Sequence, residues 1–355
     1  MGSSDLHPTI PARERPVHVS IIVPVHNNAT DLAECVGALA AESRPEDEIL
    51  IVDDGSTDGT PAAAARLGGR VLTLGKNSGP AAARNYGARH ARGELLFFVD
   101  ADVVIARGML DRIRRVFAER DDVAAVFGSY DATPRAAGDV SRYRNLLHHF
   151  VHQNGDVMAS TFWAGCGAIR RDVFDKIGGF DAQRFRRPSI EDIELGHRLS
   201  RAGYRILLDK GLQGTHLKRW SLVSMIRTDI TQRAMPWARL TIDAEGIPDT
   251  LNLRWDQRLS AALVAVGAVS LLFAAAKVQL IVLAATAFAA AFVINRHLYR
   301  FFFRRGGVRF ATVCVALHWL YFGYSALGYL VAWLESRVVV RRRTRARSNA
   351  PSKPV

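Results

Sequence analysis

The stretch Gly93-Glu94-Leu95-Leu96-Phe97-Phe98-Val99-Asp100-Ala101-Asp102-Val103 decides the fold. Leu95 to Val99 is an apolar run of five residues, too short for a typical helix and rich in Phe and Val, so it predicts a buried strand. Two carboxylates, Asp100 and Asp102, follow it one residue apart. On an extended strand, residues i and i+2 share a face, so both acids are expected to point into one cleft. Open α/β sheets hold their ligands at the carboxyl ends of the strands. Paired oxygen ligands suit a hard divalent cation such as Mg2+ or Mn2+, and that cation suits a diphosphate. An acidic turn after a strand is the plainer alternative, so the weight rests on what surrounds the pair.

Outward from this stretch, the chain is long enough for two domains, with 355 residues. Apolar residues are unevenly spread: 1 to 250 reads as a soluble α/β protein, and long apolar runs begin at Leu259. The net charge of +13 and the pI near 10.2 could suggest nucleic acid. Much of the excess, however, lies at Arg296 to Arg309 and Arg337 to Arg347, beside the apolar runs, where a membrane surface explains it better and no nucleic-acid partner is expected. Cys35, Cys166 and Cys314 are far apart, without metal-like spacing or a disulfide framework. Met1 to Pro16 has no apolar core and is expected to be a flexible tail, neither signal peptide nor anchor.

Before the deciding strand, three strand-then-helix units are legible. Val17 to Val25 predicts the first strand, followed by Pro24-Val25-His26-Asn27-Asn28 and a helix from about Thr30 to Ala41. Glu48 to Val52 predicts the second, running into Asp53-Asp54-Gly55-Ser56-Thr57-Asp58-Gly59-Thr60, with Thr57 or Asp58 placed to cap an Ala-rich helix over 61–67. Val71 to Leu74 predicts the third, followed by Asn77-Ser78-Gly79-Pro80 and a helix to about Ala91. Such alternation implies an α/β fold with a doubly wound, mainly parallel sheet. Neither Gly-x-Gly-x-x-Gly after the first strand nor a Gly-Lys-Ser/Thr loop is present, which argues against a dinucleotide-binding dehydrogenase and a P-loop NTPase.

Together, Val19-Ser20-Ile21-Ile22-Val23-Pro24-Val25-His26-Asn27, Val52-Asp53-Asp54-Gly55-Ser56-Thr57-Asp58-Gly59-Thr60, Asn77-Ser78-Gly79 with Ala83-Arg84-Asn85, and Asp100-Ala101-Asp102 resemble a family 2 glycosyltransferase of the GT-A fold. The resemblance implies a metal-dependent enzyme, using Mg2+ or Mn2+, that takes a nucleotide-diphosphate sugar as donor. It implies that Pro24, Val25 and His26 line the nucleoside pocket and that Asp53 or, preferably, Asp54 accepts a hydrogen bond from the base. Asn77 and Arg84 then lie near the donor, and Asp100 and Asp102 meet the ribose and the metal, with Asp102 the preferred ligand. Plainer readings stand beside these: Pro24 ends a strand, Asp53 forms a turn, and Arg84 is a helix-surface charge.

Past the deciding stretch, Ile113 to Phe117 predicts a helix, Val123 to Tyr130 a strand and Tyr143 to His152 a helix. His148 and His152, four apart, could share a metal, but no adjacent Glu supports a zinc site; an amphipathic helix is the simpler reading. Phe162 to Arg171 and Gly178-Gly179-Phe180-Asp181 extend the resemblance to the region that meets the acceptor, with Trp163, Gly165 and Cys166 as candidates. Gly165 and Gly167 allow close backbone approach to a ligand, or mark a bulge. Cys166 reads as a packed residue, since inverting transfer needs no covalent intermediate. Ser189 to Leu199 predicts a helix with an acidic first turn, itself a sufficient structural account. The resemblance implies that one acid here is the catalytic base: Asp192 is preferred, with Glu191 positioning the acceptor. His216, after a strand over 205–209, could complete the metal shell or simply pack.

Trp220, Arg233 and Trp237 suit an interfacial collar. Gln232-Arg233-Ala234-Met235-Pro236-Trp237 lacks the Gln-x-x-Arg-Trp spacing of processive synthases. Leu259 to Ala276 and Val278 to Ile294 predict a membrane hairpin, and Val308 to Leu334 a third apolar segment. Arg296, Arg300, Arg304 and Arg305 obey the positive-inside rule if the catalytic part is cytosolic, whereas a full third crossing would strand the Arg337 to Arg347 cluster outside, so a re-entrant or interfacial third segment is expected. The domains expected are a tail at 1–16, a catalytic domain at 17–250, a membrane region at 251–336 and a basic tail at 337–355. The resulting expectation is an inverting, multi-pass inner-membrane glycosyltransferase, bacterial in composition, acting on a lipid-linked or growing glycan acceptor of the cell envelope. A processive polysaccharide synthase and a non-catalytic nucleotide-sugar-binding scaffold remain as alternatives.

Overall fold

A computed structural model describes residues 17–243 and 254–348. The expected tail at 1–16 and residues 349–355 of the tail expected at 337–355 lie outside the described residues, as do the side chains of Arg341 to Arg347, whereas 337–348 is helical. The chain forms two compact units, one ending at Ser221 and the other beginning at Leu222.

The first unit is built on the predicted alternation: β1 (Val19–Val25), α1 (Ala29–Glu42), β2 (Glu48–Asp53), α2 (Thr60–Ala64), β3 (Arg70–Thr73), α3 (Pro80–His90) and β4 (Leu95–Val99). Strands β3-β2-β1-β4 lie side by side and parallel. The deciding run is β4, wholly buried. Phe97 joins the cluster of β1 and α1 on one face, and Phe98 meets the Phe174 and Phe180 rings, with centroids 5.4 and 5.2 Å away. Each buried Phe contributes about 1.5–3 kcal/mol, which fixes the register of the strand that carries the acids.

The second half of the sheet comprises β5 (Val103–Ile105), α4 (Met109–Glu119), β6 (Val123–Tyr130), α5 (Asp139–Gln153), β7 (Met158–Ala159), β8 (Cys166–Arg170), α6 (Arg171–Lys176), α7 (Glu191–Arg201) and β9 (Arg205–His216). Here β8 runs antiparallel between β4 and β6, and β9 lies parallel to β6. Parallel strands β1, β2, β4, β6 and β9 therefore end on one edge, where His26, Asp54, Asp100, Tyr130 and His216 sit. Trp163 and Gly165, just before antiparallel β8, reach the same edge.

Two local expectations change. Asp100 to Asp102 is a turn beyond β4, closed by the Val103 N–H donating to the Asp100 carbonyl at 2.9 Å, so strand alternation does not orient the two acids. Helix α2 starts at Thr60 behind Gly59 with no side-chain cap; the Asp58 carboxylate instead accepts the Thr60 N–H at 2.9 Å.

The second unit is helical: α8 (Leu222–Thr228), a π-helical stretch over Asp229–Ala234, α9 (Met235–Asp243), α10 (Trp255–Leu272), α11 (Gln279–Ile294) and α12 (Arg296–Ser348). Helices α10 and α11 pack as the expected hairpin, but with 18 and 16 residues each falls short of the about 20 needed to cross a bilayer. Among the described residues one stretch, Arg296–Arg337, is long and apolar enough to cross. Gly307, at φ 72°, interrupts it. Crossing length thus falls on the segment that the charge rule had argued against. Inside this unit, the Tyr324 hydroxyl donates to buried Asp229 at 2.5 Å, and Asn295 donates to the Ser260 hydroxyl at 2.8 Å.

Candidate active site

At the nucleoside end, the loops after β1, β2 and β3 tie to one another through short polar contacts. The Asn27 side-chain carbonyl accepts the Thr57 N–H at 2.8 Å, and the Asn27 N–H donates to the Ser56 hydroxyl at 3.0 Å. His26, exposed, donates from Nδ1 to the Asp54 carbonyl at 3.0 Å. Asp53 is buried and accepts the Ser56 N–H at 3.1 Å. Asp54, also buried, accepts the Ser78 and Gly79 N–H groups at 2.7 and 2.8 Å, one on each oxygen. Burial raises its pKa while these two donors pull the other way. Gly55 lies at φ 68°, where a Cβ would come within 2.6 Å of the Lys76 backbone, so only glycine lets the loops meet there. Asn77 is exposed and Pro24 and Val25 stand at the end of β1 beside this network.

Arg84 joins the next two groups. Its buried guanidinium donates to the Asp100 carboxylate at 2.7 Å and to the Glu191 carboxylate at 2.8 Å, and lies 5.5 Å from the centroid of the Phe180 ring. Burial opposes its charge, but the surrounding acids Asp100, Glu191 and Asp192 more than offset that. Arg84 is therefore no helix-surface charge. It clamps the turn after β4 to the first residue of α7.

Asp192 follows Glu191 in the first turn of α7. It accepts the Ala164 N–H at 3.1 Å and the Ile193 N–H at 2.8 Å. Burial and then the neighbouring Glu191 charge push its pKa up to about 7, against Arg84 and the Ala164 N–H. A carboxyl poised there can take a proton from a hydroxyl nucleophile near neutrality.

Asp102 faces His216, with its Oδ2 3.6 Å from Nε2. Burial alone would raise the Asp102 pKa; His216 and, more weakly, Lys218 override it and hold it low. The His216 ring stacks on Tyr130 at 4.2 Å between centroids, with planes 9° apart. Tyr130 in turn meets His148 and Trp163, and the His148 ring lies tilted against His152 at 3.9 Å between centroids. That spacing places His148 and His152 in an aromatic wall. His152 donates from Nδ1 to the Gly128 carbonyl, and burial lowers its pKa to about 4.

The acceptor candidates divide. Trp163 belongs to the wall, and a Cβ at Gly165 would stand 2.6 Å from its indole, so this glycine makes room for a protein ring. A Cβ at Gly167 would likewise meet the Phe162 ring. Cys166 turns into the core with Sγ 3.4 Å from the Met109 sulfur, and burial pushes its thiol up to about 12.

Residues 20–178, which contain the nucleoside loops, Arg84, the Asp100 turn and the Trp163 segment, match the model of Glycosyl transferase family 2. That stretch of the chain is similar to a family 2 glycosyltransferase domain. Over 215 residues it is 26% identical to Glycosyltransferase AglE of Haloferax volcanii, covering 57% of this chain and 67% of that protein. It is 33% identical to Glycosyltransferase GlyG of Streptococcus pneumoniae over 117 residues, 32% of this chain and 38% of that one. The chain thus spans two thirds of the length of the first relative and under two fifths of the second. Its fold is that of the mannosyltransferase PcManGT from Pyrobaculum calidifontis, solved with GDP-Man and Mn2+. The TM-score is 0.57, over 91% of this chain and 90% of that one, at 21% identity. The fold is accordingly the GT-A architecture that the resemblance implies.

A divalent cation fits the donors at Asp102 and His216. Their 3.6 Å separation suits two ligands of one ion, both side chains are largely buried, and Mg2+ characteristically takes one or two protein ligands plus substrate phosphates. Among the described residues no set of three His, Cys, Asp or Glu side chains converges as a closed metal cage. Tyr130, which orders the His216 ring, has no motif around it in the sequence. Its one readable signal is position, as the last residue of a strand at the ligand-bearing edge.

Proposed function

We propose that this protein is an inverting glycosyltransferase that moves a sugar from a nucleoside-diphosphate sugar to a hydroxyl acceptor, with Asp192 as the general base. The observation that carries the reading is Asp192 itself, a half-buried carboxyl pushed up to about 7 at the start of α7, beside Glu191 that Arg84 already pairs. In this mechanism Asp192 accepts the acceptor's proton as its oxygen attacks the anomeric carbon. Arg84 keeps Glu191 and Asp100 in place, and Glu191 positions the acceptor. The loops at His26, Asp53, Asp54 and Asn77 hold the nucleoside. Asp102 and His216 would hold a divalent cation, with Asp100 beside them, and a bound cation offsets charge building on the departing diphosphate.

The acceptor in this proposal carries a lipid anchor, and the protein works at the cytosolic face of a membrane. Support comes from the helical unit, where Val266, Val269, Leu272, Val282, Leu283 and Val293 of α10 and α11 are exposed apolar side chains, and from the crossing length of 296–337. The binding of nucleotide sugar by PcManGT and the glycosyltransferase names of the relatives support the donor class.

The test is turnover. Purified protein is incubated with Mn2+, lipid extract and a panel of nucleotide sugars, and release of nucleoside diphosphate is followed together with lipid mass. Glycosylated lipid formed by the wild type and lost in Asp192→Asn supports the proposal. Nucleotide-sugar binding without turnover would instead indicate a scaffold, and transfer to soluble glycans alone would remove the lipid acceptor.

A further inference from the structure

A nucleoside diphosphate brings negative charge into an acidic cleft. Asp54, Asp100, Asp102, Glu191 and Asp192 already line the loops there, and Arg84, the cation among them, is spent on Asp100 and Glu191. One divalent cation offsets only part of the added charge, so a further cation is expected on the His216 side of Asp102.

Two residues beyond His216, Lys218 meets that requirement. The Leu217 N–H donates to the Asp102 carbonyl at 2.8 Å, pinning this segment to the turn after β4. Lys218 is exposed, next in the chain to the residue that is tied to Asp102. Its ammonium stands 4.5 Å from the centroid of the Trp220 ring. The Trp220 backbone is held, since its main-chain N–H donates to the Ser141 hydroxyl of α5 at 2.8 Å, and Arg144 lies 5.9 Å from the ring centroid. A flexible lysine resting on an indole has less rotamer freedom to lose when a ligand arrives.

We propose that Lys218 binds the diphosphate of the donor and stays on it as it leaves, and that Trp220 is the positioning residue on whose ring the ammonium rests. This rests on the nucleotide-sugar reading above. In the step it serves, the acceptor oxygen bonds to the anomeric carbon and the bond from that carbon to the diphosphate oxygen breaks. The electron pair leaves on the diphosphate, the acceptor's proton goes to Asp192, and Lys218 remains protonated, donating hydrogen bonds only. A lysine suits this role because its three donors form a compact charge that can follow a moving oxyanion.

The experiment is calorimetric titration of the full-length protein with Mn2+ and each of GDP, UDP, dTDP, CDP and ADP, then with the monophosphate of the tightest binder. Lys218→Ala is expected to weaken the diphosphate about tenfold, or about 1.4 kcal/mol. The monophosphate should change by less than about threefold, since charge-assisted bonds to the second phosphate are what is lost. Lys218→Arg should stay within about threefold of wild type, and Trp220→Leu should weaken the diphosphate in wild type but add nothing in a Lys218→Ala background. Unchanged diphosphate affinity in Lys218→Ala overturns the assignment alone, as does equal weakening of both nucleotides. Failure of the wild type to bind any of the five diphosphates overturns the donor reading and this proposal with it.

Discussion

Asp53-Asp54 and Glu191-Asp192 look alike in sequence, two adjacent acids at the start of a loop or helix, and the protein uses them differently. Both oxygens of Asp54 receive backbone N–H groups at 2.7 and 2.8 Å, and Asp53 closes its own turn on Ser56. Glu191 is also satisfied, by Arg84 and by the Ser189 N–H at 2.9 Å. Asp192 is the exception. Apart from its own neighbour Ile193, it is given the Ala164 N–H at 3.1 Å, while burial and Glu191 disfavour its charge. A carboxylate with a full set of donors is a fastener. One whose burial and like-charged neighbour outweigh its donors becomes a site for a proton.

The sharpest way to break this contrast is Asp192→Asn, which should lower turnover by about 10²–10⁴-fold with donor binding retained, as measured by nucleoside diphosphate release and by titration. In the wild type the base must be ionised, so the rate should fall about tenfold per pH unit below pH 7 and level above it. The same group affects stability with a defined sign. Its folded pKa lies above the unfolded value of 3.8, so folding takes up a proton between the two, and stability declines as pH rises from about 4 to 7. Asp192→Asn should therefore melt higher than wild type at pH 8, on the order of 5 °C, with the gap narrowing at pH 5.

Arg84→Met strikes the fastener side of the same helix start. It leaves Glu191 and Asp100 without their cation, and breaking a buried pair from one side costs about 3–5 kcal/mol. It also removes a charge that lowers the Asp192 pKa, so any remaining activity should have its pH midpoint moved to higher pH. A midpoint that stays put would show that Arg84 does not act on the base electrically.

How far the sequence reveals these differences depends on the range of the forces involved. The parallel set β3-β2-β1-β4 was legible because each strand announces itself by local apolar patterning and each crossover by its helix. Antiparallel β8 was not: around Cys166 to Arg170 the glycines signal only a bulge or a close backbone approach, and the strand is set by β4 and β6 on either side. The acids were legible as residues but not as partners. Arg84 meets Glu191 across 107 positions, and Tyr130 meets His216 across the sheet, contacts set by topology alone. Strand alternation does not orient Asp100 and Asp102, because the strand ends at Val99 and a turn gives one acid Arg84 and the other His216 as its partner.

Asp54→Asn should have a smaller effect than Arg84→Met. An amide keeps one acceptor oxygen but turns a donor toward the Ser78 or the Gly79 N–H, a cost of about 1–3 kcal/mol for the unmet buried group. Chemical denaturation reads that loss directly. If Asp54 is mainly a fastener, nucleotide affinity should fall no more than stability does, and a much larger fall in affinity would show that the carboxylate also meets the base.

Cys166→Ala should be the mildest of all, and it tests the boundary of the site. The thiol lies one residue from Gly165 at the reactive edge, yet points into the core against Met109, where burial and then Asp100 push it up to about 12. A thiol so far from ionising at neutral pH is a poor nucleophile, and its removal leaves a cavity of a single sulfur. Turnover should remain within about twofold of wild type and stability should drop by about 1 kcal/mol. Alkylating reagents should leave the native enzyme active. Loss of turnover comparable to that of Asp192→Asn would mean that the edge of the sheet, and with it the line between fastener and reactive group, has been drawn in the wrong place.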